Sequence, residues 1–158
     1  MTVTVGTNSY ISAADATAYF ADRLYAAEWT AASSGDKDKA LIMAARQIDR
    51  LAFLGQIATA GQAMAWPRTG VTDREGRTIS STTVPQAVKD AQCEVALATL
   101  RDDPTADDGN RNVRRLKAGS VELEYSGAAP TRVLPDIAAS ILAPFLEANS
   151  AHSVRLVP

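Results

Sequence analysis

Cysteine and histidine are nearly missing from this sequence, which holds one of each among 158 residues. Cys93 alone cannot close an internal disulfide, and a lone thiol suits a reducing compartment such as a bacterial cytoplasm. No cysteine–histidine cluster exists to hold zinc. His152 lies between Ser150-Ala151 and Ser153, a polar stretch that offers nothing to fix a catalytic base. Cys93, on an apolar helix face, reads as a small buried hydrophobe rather than a nucleophile. Glycine-rich phosphate loops are absent. Asp73-x-Glu75-Gly76 and Asp107-Asp108-Gly109 lack the alternating ligands and closing glutamate of a calcium loop. The sequence therefore predicts no enzyme, no cofactor and no metal.

Long apolar runs are missing too. None approaches the roughly 20 residues that span a bilayer, so no membrane partner is expected. Met1 to Gly6 shows neither the basic nor the apolar region of a signal peptide. Charge of one sign is not in excess: the net value of −2 gives no overall attraction for nucleic acid or anionic lipid.

What is present is a soluble globular composition, 46% hydrophobic and 22% charged. A chain this long fits one domain over residues 1–158 and buries about two-thirds of its unfolded surface. Only two tryptophans, four tyrosines and three phenylalanines occur, while alanine is abundant, which favours close-packed helices over a sheet sandwich. The spacing predicts a mainly α fold: a small bundle of about four helices, a long Trp-Pro-Arg loop and one β-hairpin. Ser12 and Asp15 start a helix over 13–26, with Ala16, Phe20 and Leu24 on one face. A second helix runs from Asp36 to about Leu51, its stripe formed by Leu41, Ala44, Ala45, Ile48, Leu51 and Ala52. Ile42 and Met43 fall off that stripe, as candidates for packing against a neighbouring chain.

A third helix follows Pro85 to about Arg101. Val88, Ala91, Val95 and Ala98 line one side, and Cys93, Leu97 and Leu100 the other. Such a helix is either central in a bundle or shared with another subunit. Alternation of Val121, Leu123 and Tyr125 with Glu122 and Glu124 predicts a hairpin over about 113–125. The basic cluster Arg111, Arg114, Arg115 and Lys117 precedes that alternation. Asp136 opens a last short helix carrying Ile137, Ile141, Leu142 and Phe145, shortened by Pro144. The helical core spans about 10–147. Residues 148–158 form a tail in which Val154 and Leu156 alternate with Arg155 and Val157, a pattern that can add to a sheet edge.

The most restrictive chemistry lies in the 52–84 loop, at Gln62-Ala63-Met64-Ala65-Trp66-Pro67-Arg68-Thr69-Gly70-Val71. Pro67 pushes Trp66 out of the helical region, and Trp66 offers a large apolar anchor there. Arg68 adds a planar fork for a carboxylate or for backbone carbonyls. Gly70 permits the turn away. These four residues are the predicted structural anchor.

This stretch also carries a resemblance. With Ser9-Tyr10-Ile11-Ser12, Ala14-Asp15-Ala16, Tyr19-Phe20, Trp29, Ala40-Leu41, Ile48-Asp49, Gly55, Asp73-Arg74, Gly76, Val84-Pro85 and Val88-Lys89, the chain resembles the DnaT-like single-stranded-DNA-binding proteins of phages. Those are similar in turn to head-completion adaptors of long-tailed phages. The likeness is strong over about residues 9–100 and departs at Leu54, where a basic residue is usual. It implies a structural head-to-tail adaptor of a virion neck, made in the host cytoplasm. Such a subunit forms a ring, dodecameric by resemblance, linking the portal protein to the tail or next neck protein, with genomic DNA passing through the lumen without sequence recognition. In that reading Ile42, Met43, Cys93, Leu97 and Leu100 are candidate subunit-interface residues. Arg111, Arg114, Arg115 and Lys117 face lumen, interface or solvent, and Val154 and Leu156 belong to a docking tail. The second reading is a replication-type single-stranded-DNA-binding module. The basic cluster is small and flanked by acids, which predicts no tight strand binding by the isolated chain.

Overall fold

Ser12 ends the polar lead and begins the first helix: its Oγ accepts the Asp15 N–H at 3.1 Å and donates to the Asp15 carboxylate at 2.7 Å. The computed structural model describes residues 2–102, 115–118, 121–124 and 134–147. Within them the chain is mainly helical: α1 (Ala13–Ala21), α2 (Ala27–Ala31), α3 (Ser34–Ile48), α4 (Gln86–Arg101) and α5 (Asp136–Leu142), the last followed by a 3₁₀ turn, Ala143–Phe145. Two antiparallel ribbons accompany the helices. β1 (Gln56–Ile57) pairs with β2 (Arg68–Thr69), and β3 (Arg115–Ala118) pairs with β4 (Val121–Glu124) in the expected hairpin.

α4 is the axis of the bundle, packing against α1, α2, α3 and α5. Residues Ala91 to Leu97 are buried without a break. Of the two readings open for its doubly apolar surface, the first holds: both sides are covered within this chain. The same burial removes most of the candidate subunit interface. Cys93 and Leu97 are at most 1% exposed, and Ile42 on α3 is 3% exposed. Met43 and Leu100 are half-buried.

Three element boundaries differ from the periodicity. α1 stops at Ala21 rather than at residue 26, so Leu24 leaves the predicted stripe and is 79% exposed. Trp29, expected in a connector, sits in the short α2 and is 1% exposed, its ring 4.7 Å from that of Phe20. α3 begins at Ser34, because Ser33 Oγ accepts the Asp36 N–H and caps it. Ile137, assigned to the apolar face of the last helix, is 45% exposed, whereas Ala138 and Leu142 are buried. Pro144 does shorten that helix, which gives way to the 3₁₀ turn.

The long loop is held by one side chain. Arg68 donates from Nε to the Leu54 carbonyl (2.8 Å), from Nη2 to those of Gly55 (2.7 Å) and Phe53 (3.1 Å), and from Nη1 to that of Ala65 (3.3 Å). Backbone carbonyls, not a carboxylate, therefore take the fork. Trp66, ahead of a cis bond to Pro67, is 2% exposed and meets the edges of Phe53 and Phe145 at 5.6 and 5.7 Å. Its Nε1 has no acceptor among the described residues, a cost of about 1–3 kcal/mol that the packing of the ring outweighs. Gly55 and Gly70 both have positive φ, +71° and +73°. At Gly55 a Cβ would stand 2.1 Å from the Thr69 carbonyl oxygen. No helix among the described residues is long and apolar enough to cross a membrane.

Two substitutions test this corner. Trp66→Ala should cost about 3–5 kcal/mol in a urea melt, from lost burial plus the cavity left behind. A loss below about 1 kcal/mol would contradict its burial. Gly55→Ala should destabilise by more than about 1 kcal/mol, since it meets both a left-handed φ and a backbone oxygen. An unchanged melting midpoint would mean that the β1–β2 ribbon is not closely paired.

Candidate functional site

Polar side chains that face the interior have to be matched before any surface can be read. Gln92, fully buried in the middle of α4, accepts from the Tyr10 N–H at 2.9 Å and donates to Ser9 Oγ at 2.7 Å and the Leu41 carbonyl at 2.8 Å. Tyr10 Oη donates to Asp49, whose carboxylate also accepts the Ala65 N–H at 3.2 Å. Burial pushes the Asp49 carboxyl above the usual range, against the opposing pull of those two donors. Burial, reinforced by the Asp49 carboxylate, raises the Tyr10 phenol as well. These groups tie the N-terminal segment to α3 and α4, and they are structural.

Glu94 organises the second cluster. Its carboxylate, 3% exposed, receives both Nε and Nη2 of Arg23 at 2.6 Å and the Tyr19 hydroxyl at 2.7 Å. These hydrogen bonds hold the Arg23 guanidinium above its ordinary pKa. The remaining Arg23 nitrogen donates to the Leu24 carbonyl at 3.0 Å, and Arg101 donates to the Tyr25 carbonyl while its Nε lies 3.2 Å from Glu28. Two arginines thus grip consecutive carbonyls of the α1–α2 turn. Tyr25 is held there at φ +59°, a conformation that costs a non-glycine residue about 1–3 kcal/mol. Its side chain is 84% exposed. The result is an aromatic ring presented to solvent on a pinned backbone. No sequence signal marked Tyr25, because its exposure depends on Glu94, about seventy residues away.

An open groove of about 520 Å³ lies beside this turn, lined among others by Tyr10, Asp15, Tyr19, Asp22 and Lys89. Two carboxylates against one ammonium make it a poor seat for a polyanion. Cys93 offers no nucleophile: desolvation, helped by nearby Asp90 and Glu94, pushes its thiol up to about 12. Among the described residues no three His, Cys, Asp or Glu side chains group as a metal site.

The sequence-derived candidates scatter. Trp66, Pro67, Arg68 and Gly70 form the corner described above. Arg115 and Lys117 lie on β3, where the register sets them opposite Glu124 and Glu122. Arg111, Arg114, His152 and the tail with Val154 and Leu156 lie outside the described residues.

Comparison with known proteins gives one match: the family model described as "Putative DnaT-like ssDNA binding protein" covers residues 2–157. No curated protein and no solved structure matches the chain. The match corrects the expectation of a head-to-tail adaptor. It names a strand-binding family, and nothing in it points to head completion, a connector ring, or portal and tail partners. The burial of Ile42, Cys93 and Leu97 agrees with that correction, since a ring contact through them would require opening the core. Matched over almost its full length, the chain belongs to the DnaT-like single-stranded-DNA-binding protein family.

Proposed function

We propose that this protein binds single-stranded DNA and acts by binding rather than by catalysis. The observation that carries the reading is the family match across residues 2–157. Strand binding without sequence preference uses aromatic side chains on which bases stack and cations that follow the phosphates. Tyr25 supplies the first element: an open ring on a turn whose carbonyls are held by Arg23 and Arg101. Pre-set geometry of this kind lowers the ordering cost of each stacked base. The net charge of −2 sets the strength, because long-range attraction is weak and only local cations meet phosphates. Binding should therefore be modest and salt-sensitive.

A labelled oligothymidylate titrated with the protein and read by fluorescence anisotropy tests this. Saturable binding in the micromolar range is expected at about 50 mM salt, weakening as salt rises. Tyr25→Ala should weaken it about 5-fold or more, since one stacked base contributes roughly 1–3 kcal/mol. No saturable signal at low salt, with the protein folded by circular dichroism, would refute strand binding.

A further inference from the structure

α3 has one face that no other described helix packs closely against. Its core side carries Leu41, Ala44, Ala45 and Ile48, all buried, and it packs on α1 and α4. At helical spacing the opposite side carries Lys39, Met43, Arg46 and Arg50, the last in the turn just beyond the helix. Lys39, Arg46 and Arg50 are exposed and Met43 is half-buried.

The arginines of this chain divide by what they touch. Arg23 is bound to Glu94, Arg101 to Glu28, Arg77 to Asp73 and Glu75, and Arg68 to four carbonyls. Arg46 and Arg50 make no ion pair or hydrogen bond through their side chains among the described residues. The nearest acid along the helix, Asp49, is turned to Tyr10 Oη and the Ala65 N–H. Lys39 is 3.0 Å from Asp36, at the far end of the stripe. The second half of the face is thus cationic, with no acid among the described residues paired to it.

We infer that this face of α3 is the phosphate-tracking part of the strand-binding surface, with Arg46 and Arg50 on neighbouring phosphates and Met43 beneath the sugars. The inference rests on the strand-binding reading above. Arg46 and Arg50 stand one turn apart, about 6 Å along the axis, close to the separation of adjacent phosphates in an extended strand. Their guanidinium forks suit phosphate oxygens, and neither has to leave an internal partner to reach them. Met43, one turn before Arg46 on the same face, adds a soft apolar floor beside the charges. A negative strand is the occupant that such charge selects, and the groove with Asp15 and Asp22 is one that it avoids.

The measurement is the salt dependence of oligothymidylate binding for wild type, Arg46→Ala/Arg50→Ala, the corresponding double Lys variant, and Arg74→Ala as an exposed control on the long loop. Each phosphate contact to a single strand contributes about 0.7 to the slope of log K against log salt, so the double Ala variant should lose about 1.4. At physiological salt this amounts to roughly a tenfold loss of affinity. The double Lys variant should keep the wild-type slope, and so should Arg74→Ala. Because both arginines are exposed, melting temperatures should stay level. Wild-type binding with an unchanged slope in the double Ala variant overturns this inference and leaves the strand-binding reading standing. An equal loss in Arg74→Ala would show general charge rather than a site, and also overturns it. Absence of wild-type binding removes both.

Discussion

The structure depends on the burial of the middle of α4, Ala91 to Leu97, on every side. A helix covered by α1, α2, α3 and α5 cannot leave polar side chains unmatched, yet Gln92 and Glu94 stand in its middle at 0% and 3% exposure. An unpaired amide or carboxylate there would cost several kcal/mol, so the surrounding elements are placed to satisfy them. Ser9, the Tyr10 N–H and the Leu41 carbonyl surround Gln92, which fixes the N-terminal segment against α3. Arg23 and Tyr19 surround Glu94, which ends α1 early and turns the chain toward α2. Two side chains of one helix thus set the path of the first thirty or so residues.

The long loop between α3 and α4 has almost no repetitive structure of its own, and Arg68 takes the place of a sheet. Its planar donors collect carbonyls from both sides of the ribbon, while Trp66 drives the same segment into the core between Phe53 and Phe145. Lysine could not reproduce that pattern, since its three donors radiate from one point. The arrangement also brings the end of α5 to the loop: the Leu54 N–H donates to the Phe145 carbonyl and the Glu147 N–H to the Ala52 carbonyl. The long loop is mainly a structural brace.

Function is assigned by what remains after these demands are met. Arg23, Arg68, Arg77 and Arg101 have partners inside the molecule, and so do two of the three described tyrosines. Tyr19 and Tyr10 hydroxyls are bound to carboxylates, whereas Tyr25 projects into solvent. The adaptor expectation took residues off the predicted stripes as surfaces seeking a partner subunit. Ile42, Cys93 and Leu97 had a partner already, the chain's own core, and the family match is to the DnaT-like family instead.

By itself the sequence determined the helical class, the Ser12 cap, the hairpin and the family. Those follow from local rules: Ser12 caps a helix through the residue three positions on, and the alternation along Val121–Glu124 favours a strand. It also marked Trp66 and Arg68 as an organising pair, because few residue types can do what a Trp-Pro-Arg turn requires. Only the tertiary structure decided where α1 stops, that Trp29 lies in a helix, and that α4 is covered on both sides. Each of these turns on contacts between residues far apart in the chain, such as Arg23 with Glu94, whose strength no helical periodicity records. The same holds for the candidate site. Tyr25 carries no local signal for a left-handed backbone, and Arg46 and Arg50 look in sequence like any solvent-facing arginines. What sets them apart from Arg23, Arg68, Arg77 and Arg101 is the lack of an internal partner among the described residues, together with their shared face of α3.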